Sequence, residues 1–377
     1  MAEPFKNLFN KEIICGISKQ FQRHWHEFES ESFVRVASDN LDALELKERS
    51  QQITNAMIEY LPTDFEKAGE IMLASLNIPA DDNVFAESVD ADGIGGWAVM
   101  PMADYVGLRG LDDFDLSMHL LKQMTKCSSS EFGIRHFLLD SPRKTLAVLY
   151  SWTSDNNQHV RRLVSEGTRP RLPWAMRLPE FIKDPAPLFG LLENLKDDEK
   201  EYVRRSVANN LNDIAKDHPD MVADVAARWM EEASQDRIKL VRHACRTLIK
   251  SGHKGALKTL GFAAPKIRKV DIEMLTPEVK FGDSMEFTLS LCSDSNAEQA
   301  LMIDYIIHHK KANGSTSPKV FKWKNIALLA RKTLISTRKH VFKKITTRAY
   351  YPGMHRIEVV VNGVSVGEAN FELSCVY

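Results

Sequence analysis

The sequence lacks the features that would direct the protein to a membrane or to secretion. No run of about 18 apolar residues occurs, so no transmembrane helix is predicted. The opening MAEPFKNLFNKE is rich in charged residues and has no apolar core of the kind found in secretory signals. We therefore expect a cytoplasmic protein.

The five cysteines are too scattered to predict a metal site or a disulfide framework. They form no CxxC pair and no cluster with histidine, the spacings that zinc sites use. Their odd number and wide spread favour a reducing compartment. A Cys292–Cys375 disulfide within a β-sandwich stays open as an alternative. We expect no metal ion.

Charge is unevenly distributed, although the net charge is only −1. From Pro265 to the end, the chain has 17 Lys and Arg against 11 Asp and Glu, which leaves 33 basic and 40 acidic residues before that point. Residues 310–348 contain 12 Lys and Arg and no acidic residue. Such a block favours a polyanion partner, most simply nucleic acid. The alternative is a set of lysines that protects the edges of a sheet.

Residues 1–262 have the pattern of a protein that is almost entirely helical. LKERSQQITNAMIEYLP places apolar residues on one face before Pro62 ends the helix, and Asp64 is placed to cap the next one. The glycines of DADGIGGW follow no predicted strand and precede no GK[ST]. They therefore favour a helix–helix turn over a phosphate-binding loop.

A sequence repeat indicates how these helices are arranged. Three copies of a motif, an aspartate followed five residues later by V-R-[RH], begin at Asp155, Asp198 and Asp236. These starting points stand 43 and 38 residues apart. A degenerate earlier copy lies at Ile134-Arg135-His136. The period is typical of HEAT-like helix pairs, which stack into a solenoid with a concave face.

Beyond Gly261–Pro265 the pattern changes to short alternating strands. Roughly seven strands in about 110 residues are typical of an immunoglobulin- or fibronectin-like sandwich. The pair Asn362-Gly363 between EVVV and VSVGEANF predicts a tight hairpin. The fold class is therefore multidomain: an all-α HEAT-like solenoid over residues 1–262, then an all-β sandwich over residues 265–377.

The stretch between Trp152 and Trp174 concentrates groups that could carry chemistry. Asp155 is expected to cap a helix over HVRRLVSE that Gly167 ends, and the Pro-stiffened loop RPRLPW follows. On that helix a glutamate stands four residues after an arginine, so the two share one face. A carboxylate, guanidinium groups and indoles thus fall within a short segment.

If the repeat helices are adjacent layers of a solenoid, three carboxylates can face one concave surface, those of Glu131, Glu166 and Asp213. Each also has a structural explanation. Glu131 fits the S-x-x-E pattern of a capping box, and Glu166 fits an ordinary i,i+4 ion pair. Asp213 could be solvated or pair with Arg205 or Lys216, and the two tryptophans could belong to the core.

Three segments resemble the AlkC branch of alkylpurine DNA glycosylases. They are the opening AEPFKNLFN, then VRRLVSEGTRPRLPWAMRLPEF, and DEKEYVRRSVANNLNDIAKDHPD. The similarity extends over essentially the whole chain. That branch belongs to the HEAT-repeat DNA-alkylation-repair superfamily, which it shares with AlkD. Its members occur with and without an immunoglobulin-like C-terminal domain, and this chain resembles those that have one.

The resemblance implies a monofunctional DNA glycosylase of base excision repair. It would hydrolyse the N-glycosidic bond of cationic alkylated bases, chiefly 3-methyladenine, with 3-methylcytosine and 1-methyladenine as further substrates. It would need no cofactor and have no lyase step, and the superfamily is thought to work without a deep base-flipping pocket. Its partner would be double-stranded DNA carrying alkylated bases. We expect a monomer with no membrane and no obligate protein partner, associated with the nucleoid when bound to DNA.

By the same resemblance, Asp213, Glu166 and Glu131 would be catalytic, stabilising an oxocarbenium-like sugar and positioning water. Trp174 and Trp152 would attract the cationic base through their ring faces. The other candidate DNA contacts are basic or polar residues of the repeats and of the sandwich: Arg162, Arg205, Arg169, Arg171, Asn209, Lys322, Lys324, Arg331, Lys332, Arg338, Lys339, Lys343 and Lys344.

Two other classes of function stay open at this point. A non-catalytic HEAT-repeat scaffold would bind protein partners and would not need carboxylates grouped on its concave face. A catalytically inactive relative would bind damaged DNA but release no base.

Overall fold

The computed structural model describes residues 4–84, 89–346 and 348–374. In these ranges sixteen α-helices precede eight β-strands. The helices are α1 (Lys11–His24), α2 (Ser30–Ala37), α3 (Leu46–Tyr60), α4 (Phe65–Ala74), α5 (Val99–Arg109), α6 (Phe114–Thr125), α7 (Ile134–Asp140), α8 (Pro142–Trp152), α9 (Gln158–Gly167), α10 (Pro179–Lys183), α11 (Ala186–Leu195), α12 (Glu201–Ile214), α13 (Pro219–Met230), α14 (Gln235–Ala244), α15 (Arg246–Lys250) and α16 (Lys254–Thr259). Short 3-10 helices lie at Phe5–Leu8, Leu41–Ala43 and Gly96–Ala98.

In the described residues, all eight strands come after the last helix. They are β1 (Ile267–Met274), β2 (Glu278–Lys280), β3 (Ser284–Ser293), β4 (Gln299–Lys310), β5 (Thr316–Leu328), β6 (Thr333–Val341), β7 (Gly353–Val361) and β8 (Val364–Ser374). This order of helices and then strands agrees with the predicted fold class. We propose 1–262 and 265–377 as the two sequence domains, since the change of secondary structure falls between them.

The chain folds into two compact units whose boundaries differ from those of the two sequence domains. One unit runs to Asp217 and also contains Ser234–Ala244, so it holds α1 to α12 together with α14. The other contains His218–Ala233 and the chain from Cys245 onward, so α13, α15 and α16 are grouped with the strands.

The predicted helical repeat is confirmed, and the V-R-[RH] motif is explained by its contacts. The valines of the three copies, Val160, Val203 and Val241, are fully buried. They lie on α9, α12 and α14, which pack side by side in that order. The valine of each copy therefore fills the core between neighbouring layers.

The first arginine of the motif links each repeat to the next. Arg161 donates to Asp198, the acidic residue of the following copy, from Nε at 2.6 Å and from Nη2 at 3.0 Å. Arg204 pairs in the same way with Asp236, at 3.0 Å from Nη2 to Oδ2. Each arginine also donates to carbonyl oxygens of the loop before its own helix. The acidic residue and the first arginine are thus explained by the connection between layers.

The prediction that Asp155 caps α9 is wrong. The cap is Asn157, whose Oδ1 accepts from the backbone N–H of His159 at 2.9 Å and of Val160 at 3.3 Å. Asp155 accepts instead from the backbone N–H of Asn157 at 2.9 Å and pairs with Lys122 at 2.5 Å. A second short polar side chain stands nearer to the helix, and it takes the cap.

The strands form the predicted sandwich of two sheets. One sheet has the order β1-β3-β6 and the other β2-β8-β7-β4-β5. All neighbouring pairs in the described residues are antiparallel except β2 with β8. Alternate side chains of both sheets fill the space between them, among them Phe287, Tyr305 and Phe371. This is the packing of a β-sandwich, in which the inner faces of two sheets share one core.

Asn362 and Gly363 form the predicted hairpin between β7 and β8. Their φ angles are 48° and 76°, positive at both central positions as a type I′ turn requires. A Cβ on Gly363 would approach Gly252 Cα to 2.7 Å, so glycine is needed there for close contact as well. The Asn362 side-chain amide donates to Ala263 O at 2.7 Å.

No helix in the described ranges combines the length and the apolar character needed to cross a membrane. Cys292 accepts a hydrogen bond from Arg268 Nη2 at 3.0 Å. Its suggested disulfide partner, Cys375, lies outside the described residues.

Candidate active site

Arg162 of α9 bridges two of the three predicted carboxylates. Its Nη1 lies 2.8 Å from Glu131 Oε2, and its Nη2 lies 3.6 Å from Glu166 Oε1. Glu131 also accepts from Ser129 Oγ at 2.7 Å. The guanidinium carbon stands 5.1 Å from the centre of the Tyr202 ring, within cation–π range.

Arg169 continues the chain of ion pairs to the third carboxylate. Its Nη1 is 2.6 Å from Glu166 Oε1, and its Nε is 2.8 Å from Asp213 Oδ2. The Asp213 side chain is only 1% exposed, and its other oxygen is 2.8 Å from Lys216 Nζ. The structure therefore brings the three carboxylates into one network, joined by two arginines that the sequence placed among the DNA contacts.

Glu166 is the central carboxylate of this network. Ser206 of α12 donates to its Oε2 at 2.7 Å, and Ser165 lies 2.7 Å from the same serine hydroxyl. Burial alone would raise the pKa of Glu166, but Arg162 and Arg169 together hold that pKa below its ordinary value. Glu166 is therefore ionised at neutral pH although it is buried.

Arg135 of α7 fixes the segment that carries Arg169. The side chain is fully buried and donates to three main-chain carbonyls, those of Gly167 and Arg169 at 2.8 Å and that of Met176 at 2.6 Å. The backbone of the turn after α9 is thus tied to the preceding repeat. Arg169 reaches both of its carboxylates from a fixed origin.

The capping-box explanation for Glu131 is wrong. Helix α7 begins only at Ile134, and the preceding Gly133 offers no side-chain cap. Residues 131–133 form a turn, so Glu131 is not in the first helical turn. Its carboxylate is directed to Arg162 instead.

The two tryptophans have different surroundings. Trp152 is 6% exposed, and Lys122 Nζ lies 5.7 Å from its ring centre. The expectation that Trp152 contacts a lesion is not met, since a buried ring offers no face to a base. Trp174 is 55% exposed and has a left-handed backbone with φ of 65°. It also makes an edge-to-face contact with Phe5.

The polar residues of α12 divide between core and surface. Asn210 is fully buried and donates to Ser165 O at 2.8 Å and to Thr168 Oγ1 at 3.0 Å, so its mid-helix position is explained by packing against α9. Asn209 Oδ1 lies 3.1 Å from His243 Nε2 on α14. Arg205 is exposed and lines a cavity of about 260 Å³ together with His243.

Arg171 does not join the carboxylate network. Its guanidinium pairs with Asp217 instead: Nε and Nη2 each donate to one carboxylate oxygen at 2.8 Å. A second cavity, of about 270 Å³, opens beside the network and has Glu131 and Arg162 in its wall. Its other lining groups are mainly aromatic and apolar, among them Trp97, Met100, Phe132 and Tyr202.

The basic block of the sandwich is partly neutralised by acidic residues that lie on neighbouring strands or directly after one. Lys322 pairs with Asp304 at 2.7 Å and Lys339 with Glu286 at 3.1 Å, and Arg331 pairs with Asp294. These acids lie outside residues 310–348 in sequence, so the composition of that block could not reveal them. Lys332, Lys343 and Lys344 are exposed, and Lys324 is half-buried with Nζ 2.6 Å from Ser336 Oγ.

Arg338 does not share a face with Lys339. Exposure alternates along β6, and Arg338 is on the half-buried side with its guanidinium 5.7 Å from the centre of the Tyr305 ring. Its Nε is buried without a hydrogen-bond partner in the described residues. The prediction of Arg338 as a DNA contact is therefore not supported, because its side chain lies on the opposite side of β6 from Lys339.

Comparison with known proteins agrees with this architecture. The sequence profile of a family described as DNA alkylation repair enzyme matches residues 124–248, which contain the whole carboxylate network. A second profile, described as the C-terminal Ig-like domain of uncharacterised protein YhaZ, matches residues 268–375. The uncharacterised protein YhaZ of Bacillus subtilis is 35% identical over 371 residues, which are 98% of this chain and 99% of that protein.

A solved structure decides the family. Pseudomonas fluorescens alkylpurine DNA glycosylase AlkC, bound to DNA containing an abasic site analogue, is similar with a TM-score of 0.85 and 35% identity. The match covers 99% of this chain and 100% of that one. The chain belongs to the AlkC family of DNA alkylation repair enzymes. The family resemblance predicted from the three sequence segments is thereby confirmed.

Within this AlkC-family chain, the sequence did not indicate several groups around the network. Tyr202 and Ser206 stand four residues apart on α12, so a helical projection of YVRRS could have placed both beside Arg162 and Glu166. Phe5 carried no such signal, because its neighbour Trp174 is remote in sequence. In the described part of the chain, no group of three or more His, Cys, Asp or Glu is arranged to hold a metal ion.

Proposed function

We propose that this AlkC-family protein is a DNA glycosylase that removes cationic N-alkylated bases, chiefly 3-methyladenine, from double-stranded DNA. The observation that carries the proposal is the ion-pair network of Glu131, Glu166 and Asp213, in which Glu131 is partly buried and the other two carboxylates are buried. Three carboxylates held within one water-poor site are suited to a reaction that develops positive charge on a sugar. 3-Methylcytosine and 1-methyladenine are proposed as further substrates because their bases are cationic too.

The reaction needs little help at the leaving group. The bond between C1′ and the base nitrogen breaks with its electron pair going to the base, which leaves as a neutral molecule because it began as a cation. The sugar becomes an oxocarbenium-like cation, which the ionised carboxylates stabilise electrostatically. Water then adds to C1′ and gives up a proton, with Asp213 or Glu166 as acceptor, and an abasic site results. No lysine is proposed as a nucleophile, so strand cleavage is not part of the reaction.

Asp213 has to be uncovered before it can approach the sugar. Lys216 closes its outer side at 2.8 Å, while the Lys216 side chain is itself 44% exposed. An exposed lysine on a flexible stem can turn towards a DNA phosphate, which would open the carboxylate to the substrate. Arg205 and Asn209, on the same helix, are proposed as neighbouring contacts to the DNA backbone, and Trp174 as the ring that meets the cationic base.

The sandwich is proposed as a second DNA-binding surface. Lys343 and Lys344 are exposed on the segment after β6, and Lys332 is exposed just before that strand. Because phosphate contacts release counterions, their joint contribution would appear as a steep dependence of affinity on salt. The residues that pair with acids are expected to contribute less than these three lysines.

The test is release of free base from duplex DNA treated with a methylating agent, measured by chromatography of the soluble fraction. Wild-type protein is expected to release 3-methyladenine and to leave abasic sites that break only on treatment with alkali. Binding to the methylated duplex without release would favour the alternative of a DNA-damage-binding protein. Neither binding nor release would favour a protein-binding scaffold.

A further inference from the structure

Two large aromatic side chains lie together at the protein surface next to the segment that carries Arg169. Phe5 is 66% exposed and Trp174 is 55% exposed. Their ring centres are 6.4 Å apart at an interplanar angle of 65°, an edge-to-face contact. Each ring keeps more than half of its surface in water, so the contact does not serve to bury either side chain.

The backbone of Trp174 is held in a conformation that a bulky residue avoids. Its φ of 65° is in the left-handed region, and such strain persists only where the surroundings impose it. Arg135 holds the segment on both sides of Trp174, through the carbonyls of Arg169 and Met176. Burial lowers the pKa of Arg135 to about 10, and its Nη2 has no hydrogen-bond partner in the described residues. A guanidinium is thus kept in the core to hold main-chain atoms.

The segment that carries Phe5 is held by the same device. Arg49 of α3 is buried and donates to the carbonyls of Lys6 and Phe9 at 3.1 Å and of Leu44 at 3.2 Å. Burying an arginine is costly, and each hydrogen bond it makes here goes to a turn or a helix end rather than to a carboxylate. Both exposed rings therefore project from backbone that a buried arginine fixes.

We propose that Phe5 and Trp174 form one aromatic platform that stacks on a nucleobase of damaged duplex DNA, with Arg49 and Arg135 as its positioning residues. The proposal rests on the glycosylase function and deepens it by adding a binding residue. Aromatic faces bind bases of any sequence, which suits an enzyme that must meet a lesion in every context. The platform is continuous with the active-site network because Trp174 and Arg169 share one fixed segment.

Affinity measurements on the full chain test the platform. Fluorescence anisotropy would give Kd for a duplex containing an abasic-site analogue and for the same duplex undamaged. The variants are Phe5→Ala, Phe5→Leu and Phe5→Trp, with Tyr150→Ala as the matched control because Tyr150 is an exposed aromatic of α8. We expect the Ala and Leu variants to bind the damaged duplex about tenfold more weakly, with less change for the undamaged one. The Trp and control variants should stay within about twofold of wild type.

Non-additivity tests the positioning residues. Arg135→Lys should lower the ratio of damaged to undamaged affinity in the wild-type background but should change it little when Trp174→Ala is already present. Arg49→Lys should behave in the same way with Phe5→Ala. A loss of general stability would instead add to each aromatic substitution.

The outcomes separate the platform from the function on which it rests. If wild type releases 3-methyladenine while Phe5→Ala or Phe5→Leu binds the damaged duplex as wild type does, the platform is wrong and the glycosylase stands. Fully additive effects of Arg135→Lys and Trp174→Ala would remove the positioning role. If wild type neither releases base nor prefers the damaged duplex, the proposed function and the platform fail together.

Discussion

Replacing Arg169 by methionine should disrupt the active site and destabilise the fold at once. The guanidinium lies 2.6 Å from Glu166 and 2.8 Å from Asp213, and both carboxylates are almost fully buried. Removing one partner of a buried ion pair leaves an uncompensated charge and costs about 3–5 kcal/mol. For a unit of this size, that corresponds to a fall in melting temperature of roughly 6–20 °C.

The deficit of Arg169→Met should depend on pH. In the wild type the pKa of Glu166 is held low, so its contribution to stability is present above the pKa of the unfolded chain and is lost as pH falls through the folded value. Without Arg169 the pKa of this buried carboxyl rises. The stability difference from wild type should therefore be greatest near neutral pH and should shrink in acid, as chemical denaturation at several pH values would measure.

Arg161→Met is the matched control, because Arg161 makes an equally close buried pair with Asp198 at 2.6 Å in the same repeats. We expect a comparable loss of stability from Arg161→Met but retention of base release at a temperature where both variants are folded. Arg169→Met should lose base release by about 10²-fold or more. If the free energy of unfolding of Arg169→Met lies within about 1 kcal/mol of wild type, Arg169 does not compensate the two buried carboxylates. If both variants release base equally, Arg169 has no role in the active site.

Further predictions concern groups outside the network. Burial raises the pKa of Asp104 from 3.8 to about 6, so the stability cost of ionising this carboxyl grows between those two pH values and is complete above them. Asp104→Asn should therefore stabilise the protein by about 1–3 kcal/mol at pH 7.5 but hardly at all below pH 3.8. Burial lowers the pKa of His309 to about 3 and that of His340 to about 4, so both are neutral in the sandwich. The stability of the sandwich should therefore fall as the pH drops from 6.5, the ordinary pKa of histidine, towards those values, because the unfolded chain takes up protons first. His309→Phe should make this fall smaller in an acid-unfolding series. Combining Lys343→Gln with Lys344→Gln should lower the slope of log Kd against log salt concentration by about two, and an unchanged slope would remove these lysines from the DNA surface.

Local sequence signals predicted much of the architecture. The repeat of an acidic residue and V-R-[RH] gave the stacking of α9, α12 and α14, because its valine and its first arginine each have a structural reason to recur. Asn362-Gly363 predicted its hairpin since few other pairs adopt positive φ at both positions. Helical spacing placed Glu166 and Asp213 on facing helices, while Glu131 lies in a turn before α7, and the family resemblance assigned all three carboxylates a role.

Contacts between residues remote in sequence were beyond such signals. Arg169 extends from a loop, so helical alignment could not show that it joins Glu166 to Asp213. Trp152 is buried by the packing of α8. The sequence of that helix alone does not show which of its faces packs against a neighbour. The acidic residues that pair with the basic block lie on other strands or next to them. These ion pairs can be identified only when the positions of the strands in the sheets are known.

Asp213 is proposed to act on the reaction through its negative charge. The most direct measurement is the single-turnover rate of 3-methyladenine release by Asp213→Asn, with Asp198→Asn as a control that breaks another buried ion pair. We predict a fall of about 10²-fold or more for Asp213→Asn, with binding to the abasic-site duplex largely retained and the control near wild type. Equal rates for wild type and Asp213→Asn would contradict the account.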